Sequence, residues 1–356
     1  MASKKLRSAV LGAVLGVPTL ASALPLTFNT FVQQADINTI GGTTQVIGFA
    51  FAGNKFVGSL YPSNSQLYQT DLSGGSVTPF GAPIPGASSE LYVSSSLGLG
   101  GFASRDIYAS GGPGKGLYRI NNNGSSQGVF AVTGATSLNS EYVKGIAFDP
   151  YGNYGHDMIV STGQGNLYRV NAAGVATLLA NMPGQILEGI DFSPAGFGPV
   201  GGQVVVASES ANTLFAVSTA GTVTNMNTLF GVLIGAAEEI GFVPLDLGLG
   251  GPLEGFYAAA YPGGGIQKAN ASQFLGMLGD AVVTSEFGSS SDPVTGVHWD
   301  GTKFVLTALG NLPGQAEDGI FVTQAIIRGG GVPEPATLAL MLAGLAGVGL
   351  RKRRAV

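Results

Sequence analysis

Six residues hold the same place in a recurring pattern. Just ahead of a stretch of the form Gly-Ile-x-Phe, or a looser copy of it, stand Gln45, Glu90, Lys144, Glu188, Glu238 and Thr295. If those stretches converge on one axis, three carboxylates and one ammonium meet there. Like charges gathered so closely are costly unless a cation or the lysine offsets them. Ca2+, a hard ion that takes oxygen ligands, suits such a set. Asp191 and His298, further along two of the same stretches, join Glu90, Glu188 and Glu238 as candidate metal or polar-ligand groups. The competing reading makes all of them solvated residues at strand starts, where charged side chains are common.

The elements that must position these residues recur with a period near fifty. NSQLYQTDLSGG (64–75), GKGLYRINNNG (114–124), GQGNLYRVNAAG (163–174) and ANTLFAVSTAG (211–221) share one form, and GGGIQKANAS (263–272) and EDGIFVTQAI (317–326) are weaker copies. Their anchors Leu67, Leu117, Leu167, Leu214, Ile266 and Ile320 are 50, 50, 47, 52 and 54 residues apart. Apolar and polar residues alternate within each copy, the period of a half-buried strand. A strand–turn–strand element precedes each copy, as in KGIAFDPYGNYGHDMIVST (144–162), and a short apolar stretch such as VATLLA (175–180) follows. Each unit is four strands long. Such units cannot bury their faces alone and stack radially. The pattern predicts an all-β six-bladed β-propeller over 24–328. The sixth unit is expected near 295–328 without its fourth strand, and LPLTFNTFVQQ (24–34) is expected to complete it.

Composition narrows the chemistry. Seven of the 16 Lys and Arg and one of the 21 Asp and Glu lie in the two tails, so the body carries 9 basic and 20 acidic residues, net −11. Such a surface repels nucleic acid, which is not an expected partner. The chain has no cysteine and two histidines, which excludes thiolate sites and zinc sites needing three His. The glycine strings 98–101 and 246–252 lack the context of a nucleotide loop. No Gly-x-Ser-x-Gly elbow is present. GNYGHD (152–157) has metal-type residues but falls where a hairpin turn is expected. Trp299 is expected in the inner-strand core, in the column of Phe49, Phe148, Phe192 and Phe242.

The unit GIAFDPYGN…DMIVST…LYRVNAAG resembles the blades of NHL, SMP-30/gluconolactonase and lactonase-like propellers. The resemblance implies the propeller fold. In those families calcium and its bound water support hydrolysis, but no catalytic residue carries across position by position, so none is assigned.

Both ends point to export. Lys4, Lys5 and Arg7 precede the apolar stretch Ala9 to Leu20, and Ala21-Ser22-Ala23 forms a small-residue cleavage site. Residues 1–23 therefore read as a secretory signal peptide, removed by signal peptidase. At the other end, Gly329-Gly330-Gly331 forms a linker to Val332-Pro333-Glu334-Pro335, an uncharged run from Ala336 to Leu350, and Arg351, Lys352, Arg353 and Arg354. Fifteen helical residues span roughly 22 Å, short of the ~30 Å hydrocarbon core, so the run reads as a transmembrane segment built to hold briefly. The basic cluster would stop it on the cytoplasmic side. This three-part region, 332–356, resembles the PEP-CTERM sorting signal. The resemblance implies cleavage by an exosortase after transient anchoring in the inner membrane of a Gram-negative bacterium that makes exopolysaccharide. Expected is a surface or matrix protein with a binding or structural role, associated with exopolysaccharide. A calcium-dependent lactonase is the alternative.

Overall fold

A computed structural model describes residues 25–42, 45–62, 65–87, 90–111, 116–288 and 291–327. The expected signal peptide, the glycine linker and the sorting region lie outside these residues. No helix among the described residues is long and apolar enough to cross a membrane.

The chain opens with β1 (Asn29–Val32) and the short helix α1 (Gln34–Gly41). The first blade is β2 (Gln45–Phe51), β3 (Phe56–Tyr61), β4 (Leu67–Thr70) and β5 (Thr78–Phe80), in that order outward from the axis. The second is β6 (Val93–Ser95), β7 (Ile107–Ser110), β8 (Leu117–Ile120) and β9 (Gln127–Phe130). In the third, β11 (Val143–Phe148), β12 (Met158–Thr162), β13 (Asn166–Val170) and β14 (Val175–Asn181) gain a fifth outer strand, β10 (Thr133–Gly134), paired parallel to β14. The fourth is β15 (Ile190–Phe192), β16 (Val204–Ser208), β17 (Thr213–Val217) and β18 (Val223–Asn225), followed by the helix α2 (Met226–Phe230).

The last two blades are interleaved rather than sequential. After β19 (Ala237–Phe242) come β20 (Gly255–Tyr261), β21 (Gly265–Asn270), β22 (Ala281–Ser285), β23 (Ser291–Trp299), β24 (Phe304–Pro313) and β25 (Gln315–Val322), and then α3 (Gln324–Ile327). The fifth blade is β19-β22-β23-β24, while the β20–β21 hairpin crosses to the sixth blade, ordered β25-β20-β21-β1. The N-terminal strand thus supplies the outer edge of the sixth blade, the closure expected from the sequence, through Asn29 opposite Lys268 and Val32 opposite Ile266. The stretch 295–328 is not one blade. Residues 295–309 form the third and fourth strands of blade five, and Ile320 lies on an innermost strand. The anchors Leu67, Leu117, Leu167, Leu214 and Ile266 do sit on third strands.

Radial stacking of six separate sheets leaves only short edges, one outer strand to each blade. The core lies between adjacent blades. Phe49 stacks on Phe56, and Tyr257 of blade six meets both. Phe197 of blade four packs on Phe242 and Phe304 of blade five. Trp299 is on β23 and packs partly buried against this cluster, so its place is between blades and not on an inner strand. The inner strands crowd so tightly at the axis that a Cβ on Gly189 would lie 1.9 Å from Glu239 Oε2.

Candidate functional site

All six inner strands run the same way, so their first residues form one mouth of the central channel. Gln45, Glu90, Lys144, Glu188 and Glu238 lie there, as the repeat implied. Thr295 does not; the sixth place belongs to Glu317, at the start of β25. Two further carboxylates come from the adjoining second strands, Glu209 just after β16 and Glu286 just after β22.

These groups touch. Lys144 Nζ is 3.0 Å from Glu90 Oε2 and 3.3 Å from Glu188 Oε1. Carboxylate oxygens of Glu188, Glu209 and Glu238 lie within 4.8 Å of one another, and so do those of Glu238, Glu286 and Glu317. Gln315 Nε2 donates to Glu286 Oε1 at 2.7 Å and to Glu317 Oε1 at 2.6 Å. Glu188 and Glu238 are only 2% and 3% exposed, yet Oε2 of each has no hydrogen-bond partner. A buried, unsatisfied carboxylate oxygen is costly unless the group takes up a proton or meets a cation.

The titration behaviour follows. Burial lifts Glu188 from 4.5 to about 8, and Lys144 only partly restrains it. Burial also lifts Glu317 to about 8 and pushes Glu238 well above the usual carboxylate range, with Glu188 adding to the latter. Burial pulls Lys144 down, but Glu188 and Glu90 outweigh it and hold the ammonium above its ordinary value. The sign of the stability effect is fixed by these shifts. A carboxyl with a raised folded pKa keeps a proton that the unfolded chain has lost, so stability is greatest on the acid side. The metal-free protein should therefore lose stability as pH rises from about 5 to 8, its melting temperature falling by roughly 5 °C or more. Thermal unfolding in chelator across that range checks this, and a flat profile would refute it.

Deeper in the channel a second set, Asp191, Glu239 and Asp318, does different work. Asp191 Oδ1 accepts from Phe192 N at 2.7 Å, and Oδ2 accepts from Phe242 N of the next blade at 2.7 Å. Asp318 Oδ2 accepts from Phe49 N, latching blade six to blade one. Asp191 thus lines the channel but serves as an inter-blade latch away from the mouth. Burial raises Asp191 to about 6 and Asp318 to about 7, because the channel admits little water around them. At this level the channel widens into a cavity of about 590 Å3, lined by Asp191, Glu239 and Asp318 and, for the most part, by apolar side chains such as Phe51, Leu97, Ile146, Ile320 and Ile326. The mouth is carboxylate; the cavity end is mainly apolar, with Arg105 and Asp246 in its wall.

His298 is not in the channel. It sits on the third strand of blade five, with Nδ1 2.7 Å from Asp280 Oδ1. The sequence placed it wrongly because Thr-Gly-Val-His-Trp mimics the inner-strand pattern. Glu317 was missed for the converse reason: Glu-Asp-Gly-Ile-Phe (317–321) carries an acid followed by Gly-Ile, as Glu188-Gly189-Ile190 does, but falls at the phase of the Leu-Tyr repeat. Glu209 and Glu286 had no signal in the aligned column, since they belong to second strands. GNYGHD is the turn it was expected to be. Asp149 accepts backbone N–H groups of Tyr151, Gly152, Tyr154 and His156, and His156 Nδ1 lies 3.0 Å from Asp149 O.

The residues at the mouth fit a calcium-type ion. Two oxygens bound to one ion at about 2.4 Å can lie no more than about 4.8 Å apart, and the oxygens of each triplet fall within that limit. The donors are all hard oxygens, and the two orphaned Oε2 atoms supply free lone pairs.

Comparison with known proteins gives two findings. Residues 331–354 match the PEP-CTERM protein-sorting motif. The body matches solved propellers. A proposed gluconolactonase aligns over 87% of this chain and 90% of its own, at 10% identity and a TM-score of 0.54. The streptogramin B lyase structure aligns over 81% and 74% at 12% identity, TM-score 0.45. The calcium-binding protein regucalcin from Agrobacterium tumefaciens aligns over 81% and 80% at 16% identity, TM-score 0.43. No curated protein matches the chain. This is an all-β six-bladed propeller whose fold resembles that of the gluconolactonase-type structure. It ends in a PEP-CTERM sorting motif, which marks it as an exported, exosortase-sorted protein.

Proposed function

We propose that the protein works at the cell surface or in the extracellular polysaccharide matrix as a binding propeller, and that its carboxylate mouth holds a divalent cation. One observation carries the binding role: six carboxylates converge around a single ammonium, with Glu188 Oε2 and Glu238 Oε2 buried and unpartnered. Signal peptidase and the exosortase are its partners during export, with a transient stay in the inner membrane. When bound, the ion would neutralise the mouth and offer a coordination point for hydroxyl-rich ligands such as exopolysaccharide. Glu188, Glu209, Glu238, Glu286 and Glu317 would hold it, and Lys144 would keep Glu90 and Glu188 oriented.

Isothermal titration of the full chain in detergent with calcium and with magnesium tests this. The expected result is saturable calcium binding with proton release at pH 7, lost in Glu238→Gln. Absence of heat with either ion overturns the cation reading.

A calcium-dependent lactonase-like hydrolase is the second reading. It is favoured by Glu188 and Glu317, carboxyls raised to about 8 beside a solvent-open mouth and so poised to accept or donate protons near neutrality. Hydrolysis of gluconolactone by the calcium-loaded chain, abolished in Glu317→Gln, would raise it above the binding reading.

A further inference from the structure

The apolar end of the channel is also the end at which the chain leaves the propeller. The last inner strand, β25, runs from the carboxylate mouth to the cavity, and α3 follows on the cavity rim. Its exit is fastened at two points: Arg105 Nη2 donates to Ile326 O, and Gln324 N donates to Glu254 Oε1 at 2.8 Å. Beside this exit the loop after β19 holds Leu245 and Leu249 out to solvent, 58% and 75% exposed, and Leu275 next to them is 53% exposed. A Cβ on Gly248 would lie 2.5 Å from Leu275 Cδ2, so these leucines share one surface.

We infer that this face of the propeller rests on the lipid bilayer while the sorting tail anchors the chain, with the carboxylate mouth turned away from the membrane. The inference rests on the anchored intermediate proposed above. Three independent features support the orientation. First, the tether is short. Eight residues, 328–335, separate Ile327 from the apolar run at Ala336, and eight residues reach at most about 28 Å. A body of some 300 residues is about 50 Å across, so the tether cannot carry the opposite mouth round to the bilayer. Second, the two ends differ in charge. The mouth gathers six carboxylates around the single ammonium of Lys144, whereas at the tail end acids and bases are mixed, with Arg119 paired to Asp106 and Arg169 to Asp157. An anionic lipid surface opposes the crowded carboxylates more than the mixed face. Third, the exposed leucines border the exit. Apolar side chains such as Leu233 and Phe287 are also exposed near the other mouth. Burying those against lipid would bring Glu209 and Glu286 with them, whereas Asp246, the acid between Leu245 and Leu249, is itself buried.

The chain contains no cysteine, so single labels are unambiguous. The full chain carrying Leu249→Cys or Leu233→Cys, each labelled with an environment-sensitive fluorophore, is reconstituted into phosphatidylethanolamine/phosphatidylglycerol vesicles. Aqueous iodide is expected to quench the Leu249 label several-fold less than the Leu233 label, and a nitroxide lipid to quench only the former. Adding Leu245→Asp and moving the label to Leu275→Cys should restore iodide access. Equal iodide quenching at both sites in vesicles that carry the chain overturns the orientation and leaves the anchoring intact. Protection of the Leu233 site instead would reverse the orientation. A chain that does not co-float with vesicles overturns the anchoring reading, and this inference with it.

Discussion

Replacing Lys144 by methionine should destabilise the propeller by about 3 kcal/mol at pH 8, the cost of removing one partner from a largely buried ion cluster. For a body of this size that is a fall of about 5 °C in melting temperature. The ammonium is 20% exposed and bridges Glu90 and Glu188, with Glu238 close enough to raise its pKa further. Without it, those carboxyls have no cation to share and must take up protons instead. At pH 5 Glu188 and Glu238 already hold protons, so the same substitution should then cost about 1 kcal/mol. Glu188→Gln in the methionine background should recover part of the loss at pH 8, because it removes one of the charges left unmatched. Denaturant unfolding of the three proteins at both pH values decides the matter. A loss independent of pH would mean that Lys144 contributes by packing rather than by charge.

The second large effect is expected from calcium. At a hundred times its dissociation constant, an ion that binds only the folded chain stabilises it by about 2.7 kcal/mol, or about 4 °C here. Because the ion displaces protons from Glu188, Glu238 and Glu317, the shift should be large at pH 8 and shrink towards pH 5. Glu188→Gln and Glu238→Gln should each remove most of it, while His298→Ala, far from the channel, should leave it unchanged. Thermal scans with calcium and with chelator read both dependences. Equal shifts at the two pH values would show that the ion binds elsewhere.

Much of this molecule could be read from its residues, for reasons that also mark where reading stopped. The third-strand copies from Leu67 to Leu214 hold a steady period because each strand faces the same neighbours in successive blades. The carboxylate column was visible because inner strands converge, and convergence repeats the same residue environment. What the period does not encode is which hairpin lies nearest the axis, since every strand–turn–strand in an antiparallel sheet alternates alike. Thr-Gly-Val-His-Trp therefore looked like an inner strand. The physical difference is crowding. A Cβ on Gly319 of β25 would lie 2.6 Å from the ring of Phe256, while at Gly296 of β23 the nearest atom is 3.1 Å away, at the flexible end of Met277. Exposure differs too: β19 is buried along its whole length, whereas β24 alternates between buried and open. Only the assembled ring discloses either property, and with them the swap that brings Glu317 to the mouth in place of Thr295.

The sixth blade sets a clock. It joins residues 29–32, 255–270 and 315–322, so its first and last strands are nearly the whole domain apart in sequence. During secretion β1 is among the earliest parts to emerge, yet it has no completed blade to join until β25 follows. The other blades form from nearer neighbours and need not wait, as expected when domains build up along the emerging chain. Only residues 323–330 lie between Val322 and the matched sorting motif. The last strand and the cleavage signal thus arrive almost together. Any cut made at the motif therefore falls within a few residues of the piece that locks the propeller.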